Sequence, residues 1–501
     1  MDYSKLQNGS DIRGVALEGI AGQSANLTEG ACRDIGRGFA LWLQKKTGKS
    51  QLRVAVGRDS RLSGPTLCGW LCEAMVEQGL DVTDFGMAST PAMFMATVTE
   101  GYCFDGTVMI TASHLPFNRN GFKFFTPQGG LEKGDIKEIL SFAAGNAVTG
   151  LPQGSLRQDT FMDTYAGLLV NKVRQATGAQ RPLEGLRIVV DAGNGAGGFY
   201  AANVLEPLGA NTEGSRYLDP DGSFPNHIPN PEDKTAMAAI TEAVNTNKAD
   251  LGIIFDTDVD RAGAVLSDGS ELNRNRIIAM LAAILLREHP GTTIVTDSIT
   301  STGLAKFIEE KGGIHHRFKR GYRNVINESI RLNAQGQDSQ LAIETSGHGA
   351  LKENYFLDDG AYLVTKLLIE LAQGKQAGYT LESLIASLEE PAESLEFRMN
   401  LLLEDFKPYG QQVIDELTVY AASQPGWSLA PSNYEGVRVN LDASHGSGWF
   451  LLRLSLHDPL LPLNIESNIP GGAKIIAREL AGFLQAYDKL DAASLLTFVK
   501  A

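Results

Sequence analysis

The sequence predicts three similar mixed α/β domains followed by a C-terminal α+β domain. Three segments, RVAVGRDSR, RIVVDAGNG and TIVTDSITS, run from a β-branched stretch into a polar loop with an aspartate, at Asp59, Asp191 and Asp297. A continuous apolar run is typical of a strand buried on both faces of a mainly parallel sheet. After about residue 385 the strands EGVRVNL, GWFLLRLSL and LPLNIES follow without alternating crossover helices. We therefore place the domains at residues 1–152, 153–268, 269–385 and 386–501.

The composition fits a multidomain globular protein in which any anionic ligand needs a local basic pocket. The chain has 501 residues, which predicts three or four domains at about 150 residues each. Its 44 Lys and Arg against 59 Asp and Glu give a net charge of −15, which disfavours binding to nucleic acid or to an anionic membrane. The N-terminal MDYSKLQNGSD lacks the basic and apolar regions of a secretory signal, so we expect a cytoplasmic protein.

The longest apolar run, IIAMLAAILL at residues 277–286, is too short to span a membrane. We expect a buried helix there. The segment YTLESLIASLEE, at residues 379–390, is also predicted to be helical.

Each predicted α/β domain supplies a second strand that ends in a loop rich in functional groups. These segments are GTVMI-TASH, DLGIIF-DTDVDR and SQLAI-ETSGHG. In open α/β sheets, ligands bind outside the carboxyl ends of the strands. We therefore expect the three loops to face a central cleft.

The loop DTDVDR is a candidate metal site. Asp256, Asp258 and Asp260 alternate along the chain, so an extended backbone would place all three carboxylates on one side. Hard oxygen ligands favour Mg²⁺ or Ca²⁺, and three carboxylates suit a Mg²⁺ ion shared with a phosphate. Arg261 and Ser267 stand where a calcium EF-hand needs glycine and glutamate, which excludes that motif. The alternative is an acidic turn in solvent.

Ser113, in TASHLPFNRNGFKFF, is a candidate nucleophile or phosphate carrier. A protease-like serine needs a base beside it, and we expect the adjacent His114 to point elsewhere in an extended segment. A serine that carries a phosphoryl group instead needs a metal and cations, which DTDVDR and Lys123 offer. The alternative is a serine that only caps the next turn.

Two segments offer cations for a sugar phosphate. The run RFKRGYR, at residues 317–323, contains four positive charges, and its glycine and tyrosine favour a loop that wraps a sugar phosphate. In RLSLHDP, Arg453 and Ser455 offer a guanidinium fork and a hydroxyl for phosphate oxygens. A solvated helix face is the alternative for the basic run.

The loop ETSGHG offers groups for a sugar and for proton transfer. Glu344 and Ser346 could bind sugar hydroxyls, and His348 could act as an acid or a base. A structural histidine is the alternative for His348.

Taken in order, these motifs resemble the α-D-phosphohexomutase superfamily, which includes phosphoglucomutases and phosphomannomutases. The resemblance spans nearly the whole chain. It rests on SDIRG, GRDSRLSG, STP, TASHLPFNRNGFK, DGSFPNHIPNPE, DTDVDR, ETSGH, LDDG and RLSLHDP. It implies that the fourth domain is similar to the TATA-binding protein and that all four domains surround a central cleft.

The resemblance also implies roles for individual residues. Ser113 matches the phosphoserine of the family, and Asp256, Asp258 and Asp260 match its Mg²⁺ ligands. The resemblance implies that the bound Mg²⁺ ion contacts the phosphoserine. The catalytic residues it implies are Ser113, Lys123, Arg13, His348 and Arg261. The substrate-binding residues it implies are Glu344, Ser346, Arg320, Gly321 and Tyr322, and the phosphate-binding residues are Arg453, Ser455 and His457.

The implied reaction interconverts hexose 1-phosphate and hexose 6-phosphate, with glucose or mannose as the sugar. Phosphorylated Ser113 gives its phosphoryl group to the substrate, and a hexose 1,6-bisphosphate intermediate returns its other phosphate. Positioning and charge neutralisation provide most of the catalysis. The expected partners are therefore small hexose phosphates and Mg²⁺, with no nucleic acid and no membrane.

The sequence departs from the family pattern in three motifs. In RLSLHDP, Leu456, His457 and Asp458 replace a small residue, a threonine and a glutamate. Thr257 replaces a glycine, and Ser10 stands where tyrosine is frequent. A weaker phosphate clamp would release the bisphosphate, which makes a glucose 1,6-bisphosphate synthase, using a donor such as fructose 1,6-bisphosphate, one alternative. A non-catalytic sugar-phosphate sensor is the other.

Overall fold

The chain folds into two compact units. The computed structural model describes residues 2–145, 153–455 and 458–500. The described residues within the bounds Met1–Ile277 and Ser346–Ser383 form the first unit, and those within Ile278–Thr345 and Leu384–Ala501 form the second. No helix in the described part of the chain is long and apolar enough to cross a membrane.

The N-terminal sheet lies in the first unit and positions Ser113. Its strands are β1 (Gln7–Asn8), β2 (Asp11–Val15), β3 (Arg53–Arg58), β4 (Asp81–Met87), β5 (Gly106–Ile110), β6 (Arg119–Thr126), β7 (Gly129–Gly130) and β8 (Leu156–Gln158). Its helices are α1 (Glu29–Thr47), α2 (Gly64–Glu77), α3 (Thr90–Val98) and α4 (Lys133–Ala143). The strand order is β1-β2-β6-β5-β3-β4-β8, with β7 on β6. β3 is parallel to β4 and β5, whereas β6 is antiparallel to β5.

Local sequence explains these elements. All of β5 is buried, as its continuous apolar run predicts. α1 begins after Thr28, whose side chain accepts a hydrogen bond from the Ala31 N–H and so satisfies a free donor of the first turn. Ser89 caps α3 in the same way. Because β5 ends at Ile110, the segment TASH follows directly at the carboxyl end of a buried strand.

The next sheet, also in the first unit, carries the acidic loop. It contains β9 (Ile188–Asp191), β10 (Leu251–Phe255), β11 (Ala262–Leu266) and β12 (Glu271–Leu272), in the order β12-β11-β10-β9. Its helices are α5 (Met162–Thr177) and α6 (Lys234–Asn247), and residues Tyr200–Leu205 form a π-helix. β9 and β10 are parallel, and β10 and β11 are antiparallel. The loop DTDVDR is thus the connection between two antiparallel, fully buried strands.

The third segment repeats the alternation of strands and helices. It contains α7 (Arg274–Glu288), β13 (Thr293–Thr296), α8 (Thr302–Glu310), β14 (Ile314–Arg317), α9 (Tyr322–Ala334), β15 (Ser339–Ile343), β16 (Gly349–Leu351), β17 (Leu357–Asp358), α10 (Gly360–Ala377) and α11 (Leu381–Leu384). In the second unit, β13 is parallel to both β14 and β15. In the first unit, β16 and β17 are antiparallel. The predicted buried helix at residues 277–286 is confirmed as part of α7, whereas the helix predicted over residues 379–390 is wrong beyond Leu381–Leu384, because the following residues form turns.

The C-terminal segment of the second unit forms an antiparallel sheet covered by helices. Its elements are β18 (Glu393–Leu401), α12 (Phe406–Ser423), β19 (Trp427–Leu429), β20 (Val437–Leu441), β21 (Gly448–Leu452), β22 (Leu460–Ser467), α13 (Gly472–Leu484), β23 (Leu490–Asp491) and α14 (Ala493–Lys500). The strand order is β19-β20-β21-β22-β18-β23. Apolar residues of β18, β20 and β22 share one core with those of α12 and α13. The predicted fold class, three α/β domains followed by an α+β domain, is confirmed.

Candidate active site

Ser113 lies in a tight loop after β5 and is buried. Its backbone is in the left-handed region, at φ 51°, which is strained for a residue with a Cβ. The Thr111 hydroxyl accepts a hydrogen bond from the Ser113 N–H at 2.9 Å. This conformation turns the hydroxyl toward the acidic loop, where Ser113 Oγ donates to Asp256 Oδ2 at 3.1 Å.

The acidic loop gathers three buried carboxylates. Asp256, Asp258 and Asp260 are each at most 1% exposed, and each offers an oxygen within 4.8 Å of the others. Burial and the charge of Asp260 raise the pKa of Asp256 well above its ordinary value. Burial alone would also raise the pKa of Asp260, but the charges of Lys123, His348 and Arg261 hold it well below its ordinary value. The cluster therefore depends on the cations around it.

Two buried cations donate hydrogen bonds directly to the cluster. Lys123, on β6, donates to Asp258 Oδ2 at 2.9 Å and also to Asp260. Arg261 donates from Nε to Asp256 Oδ2 at 3.0 Å and from Nη2 to Ser113 Oγ at 3.0 Å. One guanidinium thus joins the candidate phosphate carrier to the acidic loop.

The donor set of this cluster fits a hard divalent cation. It consists of carboxylate oxygens only, with the Ser113 hydroxyl beside them. Asp258 Oδ1 and Asp260 Oδ1 are buried without a hydrogen-bond donor. Buried carboxylate oxygens are costly unless they are paired or coordinate a metal. The residues present therefore suit a metal ion.

His114 lies beside Ser113, and the expectation that it points elsewhere is wrong. Its Nδ1 is 3.3 Å from Ser113 Oγ, because the left-handed backbone of Ser113 breaks the extended segment. Arg261 Nη2 also lies 2.7 Å from this nitrogen, so Nδ1 is an acceptor. Burial and the nearby Arg261 and Arg13 lower the pKa of His114 to about 3. The neutral ring orients the arginine rather than serving as a base for the serine.

His348 is paired with an aspartate that the sequence interpretation did not single out. Its Nδ1 is 2.5 Å from Asp358 Oδ2, and Asp358 Oδ1 accepts the Gly349 N–H at 2.9 Å. His348 Nδ1 is also 3.9 Å from Asp260 Oδ1. Burial opposes the charged ring, but Asp358 and Asp260 raise the pKa of His348 to about 9. Asp358 belongs to the segment LDDG, so the signal was present in the sequence.

The other predicted residues of the first unit are Arg13, which a hydrogen bond joins to the Ser113 segment, and Ser346, which is close to His348 in sequence. Arg13 donates to the carbonyl of Ala112 at 3.0 Å and pairs with Asp11 at 2.9 Å. It thereby contacts the residue that precedes Ser113. Ser346 is buried two positions before His348.

The predicted sugar-binding residues Arg320, Gly321, Tyr322 and Glu344 lie together in the second unit. The Gly321 N–H donates to Glu344 Oε1 at 2.6 Å, and Tyr322 begins α9. Arg320 Nε is 3.6 Å from Asp297 Oδ2. The carboxyl ends of β13 and β15 thus place the basic loop beside an acid from each strand.

The predicted phosphate-binding residues follow β21. Arg453 is buried, and burial together with the charge of Arg320 lowers its pKa. The Ser455 hydroxyl accepts the Asp458 N–H at 3.3 Å. His457, also predicted to bind phosphate, lies outside the described residues.

Glu435 is a further acid of the second unit that the sequence interpretation missed. It accepts hydrogen bonds from the Ser298 hydroxyl and from the Arg320 N–H, the latter at 3.2 Å. It lies between β19 and β20, far in sequence from both donors. Nothing in the local segment NYEG distinguishes it from an exposed turn residue.

Family models match the chain in three consecutive segments. Phosphoglucomutase/phosphomannomutase alpha/beta/alpha domains I, II and III match residues 4–146, 163–269 and 273–391. The chain belongs to the phosphoglucomutase/phosphomannomutase family. The predicted superfamily is thereby confirmed, as is the prediction that the chain is a phosphotransferase enzyme.

Individual members of this family are similar over almost the full chain. A phosphoglucomutase of Neisseria meningitidis is 30% identical over 95% of this chain and 96% of its own. A phosphomannomutase/phosphoglucomutase of Pseudomonas putida is 32% identical over 86% of this chain and 88% of its own. The crystal structure of a phosphoglucomutase/phosphomannomutase family protein from Burkholderia thailandensis is 28% identical and superposes with a TM-score of 0.77 over 97% of this chain and 98% of its own.

Proposed function

We propose that the protein is a phosphohexomutase that interconverts hexose 1-phosphate and hexose 6-phosphate through phosphorylated Ser113. The observation that carries this proposal is the Ser113 hydroxyl, held by Asp256 and Arg261 at the edge of a buried acidic cluster. The names of the relatives support glucose and mannose as the sugars.

The chemistry is a pair of phosphoryl transfers. In the first, a substrate hydroxyl attacks phosphoserine, a new O–P bond forms, and the bond from Ser113 Oγ to phosphorus breaks. The hydroxyl loses a proton and Ser113 Oγ gains one, so the transfer is balanced. The hexose 1,6-bisphosphate then turns over and returns its other phosphoryl group to Ser113 by the reverse step.

We propose that Asp256, Asp258 and Asp260 hold Mg²⁺ beside the phosphoserine. The ion would neutralise negative charge on the transferring group. Arg261 is already oriented toward Ser113 Oγ by its bond to Asp256 and by a second bond to Asn230 Oδ1 at 3.1 Å. Its guanidinium would therefore be in place to contact the phosphoryl oxygens without reorganisation.

Three other residues of the first unit would transfer a proton or supply positive charge. His348, fixed by Asp358, is the candidate acid or base for the reacting sugar oxygen. The positive charge of Lys123 would offset the negative charges of the acidic loop and of the incoming phosphate. Arg13 would add positive charge beside the Ser113 loop.

The other predicted residues would bind the sugar and its second phosphate. We propose that Glu344 and Ser346 bind sugar hydroxyls and that residues 320–322 wrap the sugar. The clamp for the phosphate that does not react would comprise Arg453, Ser455 and His457. The domain bounds at residues 152, 268 and 385 are part of the same proposal.

Phosphorus NMR tests this function. The protein is incubated with Mg²⁺, glucose 1-phosphate and a trace of glucose 1,6-bisphosphate, and parallel samples contain mannose 1-phosphate. A mutase converts the 1-phosphate to the 6-phosphate while the bisphosphate stays at trace level. Bisphosphate that accumulates with consumption of fructose 1,6-bisphosphate would instead indicate a synthase, and binding without turnover would indicate a sensor.

Ser113→Ala tests the residue itself. The turnover rate of the variant should fall by at least about 1,000-fold, because the variant lacks the oxygen that carries the phosphoryl group. Its affinity for glucose 6-phosphate, measured by calorimetry, should stay unchanged. Ser141→Ala, at an exposed position of α4, is the matched control and should keep full activity. Turnover that survives in Ser113→Ala would refute the phosphoserine role.

A further inference from the structure

We propose that Arg61 is a positioning residue that holds the Ser113 loop in its reactive conformation, an inference that rests on the proposed function. Arg61 follows β3 in GRDSRLSG and is 1% exposed. A fully buried guanidinium is costly unless its N–H groups are paired. The groups that accept hydrogen bonds from the Arg61 guanidinium therefore indicate its role.

The Arg61 fork binds four carbonyls of a single loop. Nη1 donates to the carbonyls of Pro116 and Arg119 at 2.8 and 3.0 Å. Nη2 donates to those of Ser113 and Leu115 at 2.5 and 2.6 Å. The chain from residue 113 to residue 119 therefore curves around one planar cation.

This curvature maintains the strained backbone of Ser113. A left-handed conformation in a residue with a Cβ persists only when the surrounding structure imposes it. The carbonyl of Ser113 points at Arg61, and its hydroxyl points at Asp256 and Arg261. If the carbonyl were released, rotation toward an ordinary backbone conformation would turn Oγ away from both partners.

Arg61 is itself fixed by its surroundings. Its Nε lies 3.4 Å from Asp59 Oδ2, and the Arg61 N–H donates to Asp59 Oδ1 at 2.9 Å. The ring of Phe224 lies 5.2 Å from the guanidinium, within the range of a cation–π contact. A Cβ on Gly222 would come within 2.4 Å of the Ser60 carbonyl, so the loop that carries Phe224 packs directly against this segment.

Lysine cannot replace this arginine. An ammonium has three donors around a point charge, whereas the guanidinium has a rigid planar fork that reaches four acceptors. Arg61→Lys thus keeps the charge and most of the volume but loses the geometry. Arg58→Lys, on β3 beside Asp84 at 3.3 Å, is the matched control for the same exchange.

The test measures phosphorylation of Ser113 and steady-state kinetics in both variants. Intact-protein mass spectrometry follows the rate at which glucose 1,6-bisphosphate phosphorylates Ser113. Arg61→Lys should slow this rate and lower kcat by about 100-fold, as expected for a reacting group displaced by about 1 Å, with KM within about threefold of the wild type. Arg58→Lys should leave both values unchanged.

The outcomes separate the positioning role from the proposed function. A folded Arg61→Lys protein whose kcat and phosphorylation rate stay within about threefold of the wild type overturns the positioning role alone. A wild-type protein that never phosphorylates Ser113 overturns the proposed function and this inference with it. If Arg61→Lys does not fold, Phe224→Leu decides: it removes the ring over the guanidinium, and an unchanged kcat overturns the inference, whereas a fall of about fivefold or more at constant KM supports it.

Discussion

Removal of the Lys123 ammonium should destabilise the first unit strongly when no metal is present. Lys123 is 5% exposed and pairs with Asp258 and Asp260, which are at most 1% exposed. Of the other cations near the cluster, Arg261 bonds to Asp256 and His348 pairs with Asp358. Lys123→Met therefore leaves buried carboxylate charge without its partner, a change that costs about 3–5 kcal/mol in comparable buried pairs.

Guanidinium titrations in EDTA and in Mg²⁺ measure this effect. In EDTA, the free energy of unfolding of the first unit should fall by about 3–5 kcal/mol in Lys123→Met. Mg²⁺ at about 100 times its dissociation constant should restore about 2.7 kcal/mol or more, since the proposed site for the ion forms only in the folded protein. Lys45→Met removes an exposed pair with Glu138 and should cost less than about 1 kcal/mol. A Lys123→Met protein as stable as the wild type in EDTA would show that the pairs of Lys123 with Asp258 and Asp260 do not stabilise the first unit.

Two further variants test other parts of the structure. Burial raises the pKa of Glu466 from its ordinary 4.5 to about 7 despite the charges of Arg438 and Arg317, so the free energy of unfolding of the wild type should fall as the pH rises from 4.5 to 7. Glu466→Gln should therefore be more stable than the wild type by about 3 kcal/mol at pH 8 and equally stable below pH 4. Denaturant titrations that give equal gains at both pH values would contradict this. A Cβ on Gly195 would lie 2.7 Å from the Thr257 carbonyl oxygen, so Gly195→Ala should displace the acidic loop. Calorimetry should then show Mg²⁺ binding that is weaker by about tenfold. An unchanged affinity would show that the loop tolerates the methyl group.

The order of strands and reactive loops could be predicted because it is encoded locally. Continuous apolar runs identify β5, β10 and β15, and each is followed at once by its polar loop. The same local patterns separate the C-terminal sheet from the α/β segments. The helix predicted over residues 379–390 was too long because its pattern gave no signal for the turns after Leu384.

The contacts that build the site could not be derived from sequence spacing. Ser113 and Asp256 are 143 positions apart, and only the fold brings their side chains into hydrogen-bond distance. His114 was misplaced because the left-handed backbone of a serine has no local signature like that of glycine. Glu435 accepts a hydrogen bond from the Arg320 N–H, 115 positions away in sequence, and its local segment has the pattern of an ordinary turn.

A phosphate-transfer experiment shows whether Ser113 carries the phosphoryl group. The protein is incubated with Mg²⁺ and glucose 1,6-bisphosphate, freed of ligand, mapped by peptide mass spectrometry and then mixed with glucose 1-phosphate. We expect phosphate on the peptide that contains Ser113, and its loss in step with the appearance of glucose 1,6-bisphosphate. Phosphate on another residue, or a phosphorylated Ser113 that does not transfer its group to the sugar, would show that Ser113 is not the phosphate carrier.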